Sequence, residues 1–456
     1  MTLRPAEDRP NFILINCDDL GYGDLGCYGS TANATPHLDR MAAEGLRFTS
    51  FCQASSLCSP SRGALLTGCY PQRIGFGLFE GRVVLFPGQG VGLNPREITL
   101  ARCLKERGYA TACIGKWHCG DQPAFLPTNH GFDSYFGIPY SNDMGMQVNS
   151  QSPPLPLLRD TAVIQEQPDQ ASLTERYTEE AVRFLRTHAE RPFFLYLAHL
   201  YVHIPIYAPW RFLKETRNGP YGAAVACVDW SLGVLRRELA SLGLDKHTLV
   251  LFTSDNGCRC QMGGSNFPLR GAKGTSWEGG FRVPFLAVWP GRIAPGVCDE
   301  LLRSVDLFPS LSALAGAPAP RDRAMDGEDV RGLLLHGRSD GHDRRTMPYY
   351  WRNRLEAVRR GHWKLHLRTH DREVCELYDL AEDAGEQRNV ASEHPDLVAE
   401  LKTLADRFRQ DLGDAALNLP AHGERPIGRV ENPRPLTQYD PEYPYAVPLY
   451  DLPDRG

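Results

Sequence analysis

The chain has no apolar run of the roughly eighteen residues that a membrane-crossing helix needs. It also has no Cys-x-x-Cys pair, no internal repeat and no basic excess. Each absence removes a class of function. No membrane span is expected. Lys plus Arg number 50 against 55 Asp plus Glu, a net charge of −5, whereas a general nucleic-acid binder shows the opposite balance. The thirteen cysteines are irregularly spaced, and Cys258 and Cys260 stand too close together for an ordinary zinc knuckle. They read as mostly reduced and buried. The opening "MTLRPAEDRPNFILIN" holds only a short apolar run and lacks the core of a signal peptide. A cytoplasmic protein is the expectation, with an exported or periplasmic one whose leader was removed as the alternative.

What is present is ordinary soluble material: 456 residues, 42% hydrophobic and 23% charged, enough for a sizeable core and for two or three domains. Short apolar runs alternate with helical patterns. "NFILIN" reads as a buried strand, and "TPHLDRMAAEGLRF" as a helix capped near Thr35 and stopped by Gly45. "ITLARCLKERGYATACIGKW", "YTEEAVRFLRTHAERPFFLYLAHL" and "VACVDWSLGVLRRELASLGLDKHTLVLFTS" each give helix, break and strand. This order predicts an α/β fold: a large, mainly parallel (mixed) sheet flanked by helices. Residues Met144–Ala171 are polar and proline-bearing and read as a long surface loop. After about Thr346 the pattern changes to "GHWKLHLRT", "VCELYDL" and one long helix. The expected division is therefore 1–345 for the main domain and 346–456 for a small α+β domain. Its antiparallel sheet and helix are followed by a tail that wraps the surface.

Chemistry-bearing residues follow the strands. Asp18 and Asp19 follow the first, Lys116 and His118 stand at the end of "ATACIGKW", His203 follows "FFLYLAHL", and Asp255 and Asn256 follow "TLVLFTS". Ligands of open α/β sheets bind beyond the carboxyl ends of the strands. Each residue alone has an ordinary reading as a turn, cap or surface group, and the joint pattern outweighs these. Asp18, Asp19, Asp255 and Asn256 are hard oxygen donors suited to Ca²⁺ or Mg²⁺. Lys116, His118, His203 and Lys273 form a cationic set suited to an oxyanion such as sulfate or phosphate. In "SSLCSPSRGALLTG" Pro60 lies in the first turn of a helix ending near Thr67, with Gly68 as its stop. That puts Cys58 at the positive end of a helix, with Arg62 one turn on.

C-x-P-S-R followed by x-x-L-L-T-G resembles the signature of the type I sulfatases of the alkaline phosphatase superfamily. "DDLGYGDLGCYG", "GKWHCG", "HGFDSYFGIPYSND", "TSDNG", "KGTSWEGGFRVPF" and "ELYDLAEDAGEQRNVA" resemble that family's blocks in order. The texture is nearest the arylsulfatase A and N-acetylgalactosamine-6-sulfatase branch. The resemblance implies an alkaline-phosphatase-like catalytic domain and conversion of Cys58 to Cα-formylglycine by a formylglycine-generating enzyme. It implies Asp18, Asp19, Asp255, Asn256 and residue 58 as Ca²⁺ ligands, with Mg²⁺ the alternative. It further implies Arg62 holding the hydrated aldehyde and Lys116 and Lys273 clamping sulfate. Ser141 would bind the sulfate or the hydrate, His118 would take a proton, and His203 would serve the leaving group. The implied reaction is hydrolysis of an aryl or carbohydrate sulfate ester. The alternatives are a phosphonate monoester or phosphodiester hydrolase of the same superfamily, and a catalytically silent glycan-binding relative. Cys17 and Cys69 depart from the family pattern at positions given no catalytic role. Sequence carries no signal for the natural alcohol or for oligomeric state.

Overall fold

Asn11–Cys17, seven consecutive buried residues, can only be a strand covered on both faces. The computed structural model of the chain describes residues 9–317, 319–338, 345–370 and 372–439. In chain order its larger elements are β1 (Asn11–Cys17), α1 (Pro36–Glu44), β2 (Leu46–Phe48), α2 (Cys58–Thr67), α3 (Leu100–Lys105), β3 (Ala110–Gly115) and β4 (Ser134–Gly137). Next come β5 (Pro156–Arg159), β6 (Ala162–Glu166), α4 (Leu173–Thr187), β7 (Phe193–Ala198), α5 (Gly219–Ser241), β8 (Thr248–Ser254), β9 (Phe285–Val288), β10 (Gly296–Cys298) and α6 (Leu307–Leu314). A second unit follows, with β11 (Thr346–Trp351), β12 (Arg354–Arg360), β13 (Trp363–Thr369), β14 (Arg372–Asp379) and α7 (Pro395–Leu412).

The first ten strands form one sheet in the order β10-β2-β9-β8-β1-β7-β3-β4-β5-β6. The five central strands, β8 to β4, run parallel, and antiparallel strands flank them. Alternate residues feed two cores. Phe12 and Leu14 pack with α2, α3 and α6 on one face, through Leu65, Leu104 and Phe308. Ile13 and Ile15 pack with α1, α4 and α5 on the other, through Leu38, Tyr177 and Leu232. The mainly parallel, helix-flanked reading therefore holds, and so does the small antiparallel sheet β11-β12-β13-β14 under α7.

One expectation needs adjustment. Met144–Ala171 is not all loop: β5 and β6 form a hairpin that extends the sheet, with Leu157, Leu158, Val163 and Ile164 buried. Proline and polar neighbours hide so short an alternation. In the tail, Gly428 and Arg429 pair with Gly92 and Val91, and Arg425 bridges to Glu97 at 2.7 Å. Residues 440–456 of that tail and residues 1–8 of the opening lie outside the described residues.

Candidate active site

The sheet ladder continues one residue past the central strands and so fixes the rim. Asp255 N–H donates to Cys17 O (2.9 Å) and Lys116 N–H to Ala198 O (2.8 Å), while Val202 N–H donates to Asp18 O (2.7 Å). Asp19 and His118 then take left-handed backbone conformations (φ 60° and 58°). These are uncommon outside glycine and are held where the surroundings over-determine them. The turn re-aims both side chains over the strand ends.

α2 brings in the third wall. All ten of its residues are buried, and Gly68 ends it in the left-handed region (φ 67°). Cys58 stands at its first turn with Sγ 3.4 Å from Asp18 Oδ1 and 3.2 Å from Lys273 Nζ. Burial, and then the Asp18 charge, push its thiol well above the ordinary range. A nucleophilic cysteine has its thiol lowered, so this one is not set up to act as a thiolate.

The residues read from sequence converge here. Lys116 Nζ donates to Asp18 Oδ2, and also to Ser141 Oγ at 3.2 Å. Lys273 Nζ pairs with Asp19 Oδ1 (2.6 Å). Asn256 donates to the same oxygen (2.7 Å). Arg62 turns to the carboxylates: its Nε meets Asp255 Oδ2 at 2.9 Å, its Nη1 meets Lys116 O at 2.9 Å, and Asp18 lies 3.8 Å from its Nη2. It therefore reaches Cys58 through Asp18, not directly. His203 Nδ1 lies 2.6 Å from Ile204 O and 3.5 Å from Ser141 Oγ, with Nε2 3.7 Å from Asp19. A carbonyl only accepts, so Nδ1 carries the hydrogen and Nε2 faces the site as a base. His118 is oriented the other way round. Its Nε2 donates to Leu85 O (3.0 Å), and its buried Nδ1 has no partner among the described residues. Burial first, and then Lys116 for His118 and Lys273 for His203, hold both imidazoles below the usual range.

The donor set fits a hard cation. Atoms of Asp18, Asp19, Cys58 and His203 lie within 4.8 Å of one another. Asn256 Oδ1 is a buried acceptor with no hydrogen-bond partner among the described residues. Burial and the neighbouring Asp18 raise the Asp255 carboxyl to about 7. Burial alone would raise Asp18 too, but Lys116, His203, Arg62 and Lys273 outweigh it and hold it well below the carboxylate range. Crowded carboxylates and an orphaned amide oxygen are groups that a dication satisfies. Three carboxylates (Asp18, Asp19, Asp255) face three fixed cations (Arg62, Lys116, Lys273). A dication would leave this neutral cluster with two positive charges, a setting for an oxyanion.

Sequence reasoning gave no role to a second buried charge cluster, behind Lys273: Glu278, Lys364, His366, Glu386 and Arg359. Its signal was weak, because Lys364 and His366 alternate along a strand as solvent-facing residues do.

The sulfatase family model matches residues 10–317, and that of the N-sulphoglucosamine sulphohydrolase C-terminal region matches residues 272–411. The chain is 40% identical to human (Homo sapiens) arylsulfatase A, covering 93% of this chain and 91% of that protein. It is 43% identical to rat (Rattus norvegicus) N-acetylgalactosamine-6-sulfatase, covering 80% and 72%. Among solved structures it is similar to the PsFucS1 sulfatase of Pseudoalteromonas sp. (TM-score 0.80, 27% identity, 92% of each chain). It is also similar to Ps i-CgsB in complex with a neocarrahexaose (TM-score 0.79, 29% identity, 88% and 92%). Agrobacterium radiobacter phosphonate monoester hydrolase shares the fold (TM-score 0.63, 20% identity, 88% and 95%). These relatives correct the cytoplasmic expectation: arylsulfatase A and N-acetylgalactosamine-6-sulfatase are secreted or lysosomal enzymes. The helix order, the strand-end rim and a family match spanning most of the chain lead to one assignment: this chain belongs to the sulfatase family, whose members are sulfuric ester hydrolases.

Proposed function

We propose that this protein hydrolyses an aryl or carbohydrate sulfate ester at residue 58, after a formylglycine-generating enzyme has converted Cys58 to Cα-formylglycine. Asp18, Asp19, Asp255, Asn256 and residue 58 would hold Ca²⁺, with Mg²⁺ as the alternative. The observation that carries the reading is the setting of Cys58, a buried thiol of raised pKa between a proposed metal ligand and a cationic lysine. The two groups would supply an oxygen nucleophile on a carbon that re-forms its carbonyl as sulfate leaves, and positive charge on the sulfate oxygens.

The chain's own residues do the rest. Lys116, paired with Asp18, and Lys273, paired with Asp19, clamp the sulfate. Ser141, held by Lys116, adds a hydroxyl. Arg62 fixes Asp255 and neutralises it. His203, whose Nδ1 hydrogen is held by Ile204 O, would carry a second proton on Nε2 and give it to the leaving oxygen, and His118 offers Nδ1 as a proton acceptor near Lys116. Removal of one such electrostatic donor costs on the order of 10²–10³ in rate.

The test is peptide mass spectrometry across Cys58, on protein produced with the maturation enzyme, with rates on paired aryl sulfate and aryl phosphonate esters. An aldehyde at residue 58 with preference for the sulfate supports the reading. An intact thiol in fully active protein sinks it, and preference for the phosphonate moves the assignment to that branch.

A further inference from the structure

The turn that carries Lys273 is pinned on two sides. Towards the active site, Gly274 N–H donates to Ser56 O (3.0 Å), Lys273 N–H to Cys258 O (3.2 Å), and Gly257 N–H to Gly280 O (3.1 Å). The nucleophile turn and the ligand loop after β8 are thereby fastened to one segment. Away from the site the partners come from the second unit and are charged. Lys364 Nζ donates to Ser276 O (2.8 Å) and pairs with Glu278 Oε1 (3.0 Å) and Glu386 Oε1 (2.9 Å). Glu386 Oε2 accepts from Glu278 N–H (2.7 Å), and its Oε1 meets His366 Nε2 at 2.8 Å. Arg359 Nη1 meets Glu278 Oε2 at 3.1 Å, and Tyr349 Oη donates to Glu278 Oε1 at 2.7 Å. Ser276 Oγ donates to Glu356 at 2.5 Å.

Lys364, Glu278, Glu386 and His366 have no exposed surface. Buried ion pairs are weak contributors to stability, since apolar residues of similar volume often serve as well or better. They do fix geometry, because every partner has one place to be. β13 delivers this charge through alternation: Leu365 enters the apolar core under α7, while Lys364 and His366 face the Lys273 turn.

We infer that Lys364, with Glu386, is a positioning residue for catalysis: it holds residues 276–278 so that Lys273 Nζ keeps its place between residue 58 and Asp19. The inference rests on the reading of Lys273 as a sulfate clamp. Lys364 does not touch substrate. It acts through the turn, and a displacement of about 1 Å at a reacting group can cost on the order of 10²-fold.

The experiment compares Lys364→Met and Glu386→Gln with the wild type. It measures aldehyde content at residue 58, melting temperature, kcat/KM on an aryl sulfate per aldehyde, and the inhibition constant for inorganic sulfate. The inhibition constant does not depend on the fraction of folded enzyme, so a merely structural role would leave it unmoved. The expected result is a fall in kcat/KM of about 10- to 100-fold for Lys364→Met, with a rise of about tenfold or more in the sulfate inhibition constant. Glu386→Gln is isosteric and keeps an oxygen for the Glu278 N–H, so a smaller change of the same sign is expected. It decides the matter by the same ratios should Lys364→Met fail to fold. Both ratios within twofold of wild type in a folded variant overturn the positioning role. A wild type that is fully active with an intact thiol, or that carries the aldehyde yet turns over no sulfate ester, overturns the sulfatase mechanism and this inference together, whereas an active, aldehyde-bearing wild type with unchanged variants overturns this inference alone.

Discussion

Lys273 Nζ stands 3.2 Å from Cys58 Sγ and 2.6 Å from Asp19 Oδ1, joining the proposed nucleophile and a proposed metal ligand through one ammonium. Lys273→Ala should therefore lower kcat/KM on an aryl sulfate by about 10²–10³-fold. Because Asp19 also loses its counter-charge, Lys273→Ala should change the dependence of rate on calcium as well. A variant within threefold of wild type at saturating calcium would remove Lys273 from the site.

Cys58→Ala should abolish turnover and leave the melting temperature near that of the wild type, since the thiol's partners are polar. Cys58→Ser should permit at most one slow sulfation, seen as an 80 Da gain on the active-site peptide, because a serine ester has no geminal oxygen with which to expel sulfate. Full activity in either variant would refute the mechanism.

Chelation should both inactivate and destabilise. A ligand that binds only the folded state adds about 2.7 kcal/mol at a hundredfold excess over its Kd, which a thermal melt resolves. Calcium should restore the melting temperature of chelated protein, and Asp19→Asn should blunt that response. Melts indifferent to calcium and chelator would mean that the oxygen cluster holds no metal.

Glu278 gives a pH dependence of known sign. Burial would raise its carboxyl, but Lys364, Arg359 and Arg282 together hold it at about 2. The unfolded value is about 4.3. A lowered folded value means that stability is present above the unfolded value and is lost as pH falls from about 4.3 towards 2. Urea melts between pH 6 and 3 should show the wild type losing more stability than Glu278→Gln over that window. Parallel curves would mean that the folded and unfolded carboxyl values are equal, so that the surrounding cations give the charged form no net advantage.

Cys260 should be the first of the thirteen cysteines to be alkylated at pH 7. It is exposed, and the facing Cys258 thiol (Sγ–Sγ 3.8 Å) lowers it to about 6. Labelling by iodoacetamide, followed by peptide mapping, should decline below about pH 6. Faster labelling at Cys375, the other exposed cysteine, would refute this.

The central sheet was readable because both faces of β1, β7 and β8 are buried, which writes them as near-continuous apolar runs. The rim followed, because the chemistry begins one residue after β1, β3 and β8: Asp18, Lys116 and Asp255. The hairpin β5–β6 was not readable, since Pro156 and the polar residues around it mask two short strands. The charges behind Lys273 were missed for a different reason. Lys364 and His366 sit in "WKLHLRT" as a polar face would, and only a partner from far along the chain, Glu278, shows that face to be interior. Sequence periodicity reports which residues share a face, and it cannot report what covers it.

β1 lies between β7 and β8, and Asn11 bonds to Phe193 and Thr248, which follow it by 182 and 237 residues. At about 5–20 residues per second of synthesis, the first strand waits on the order of 10–40 s for its neighbours. In that interval "CSPSR" is accessible chain, whereas in the finished fold every one of its residues is buried. If Cys58 is converted as proposed, its conversion would be a race against closure of the sheet, and a mutation that hastens folding would leave more of the protein as an inert thiol.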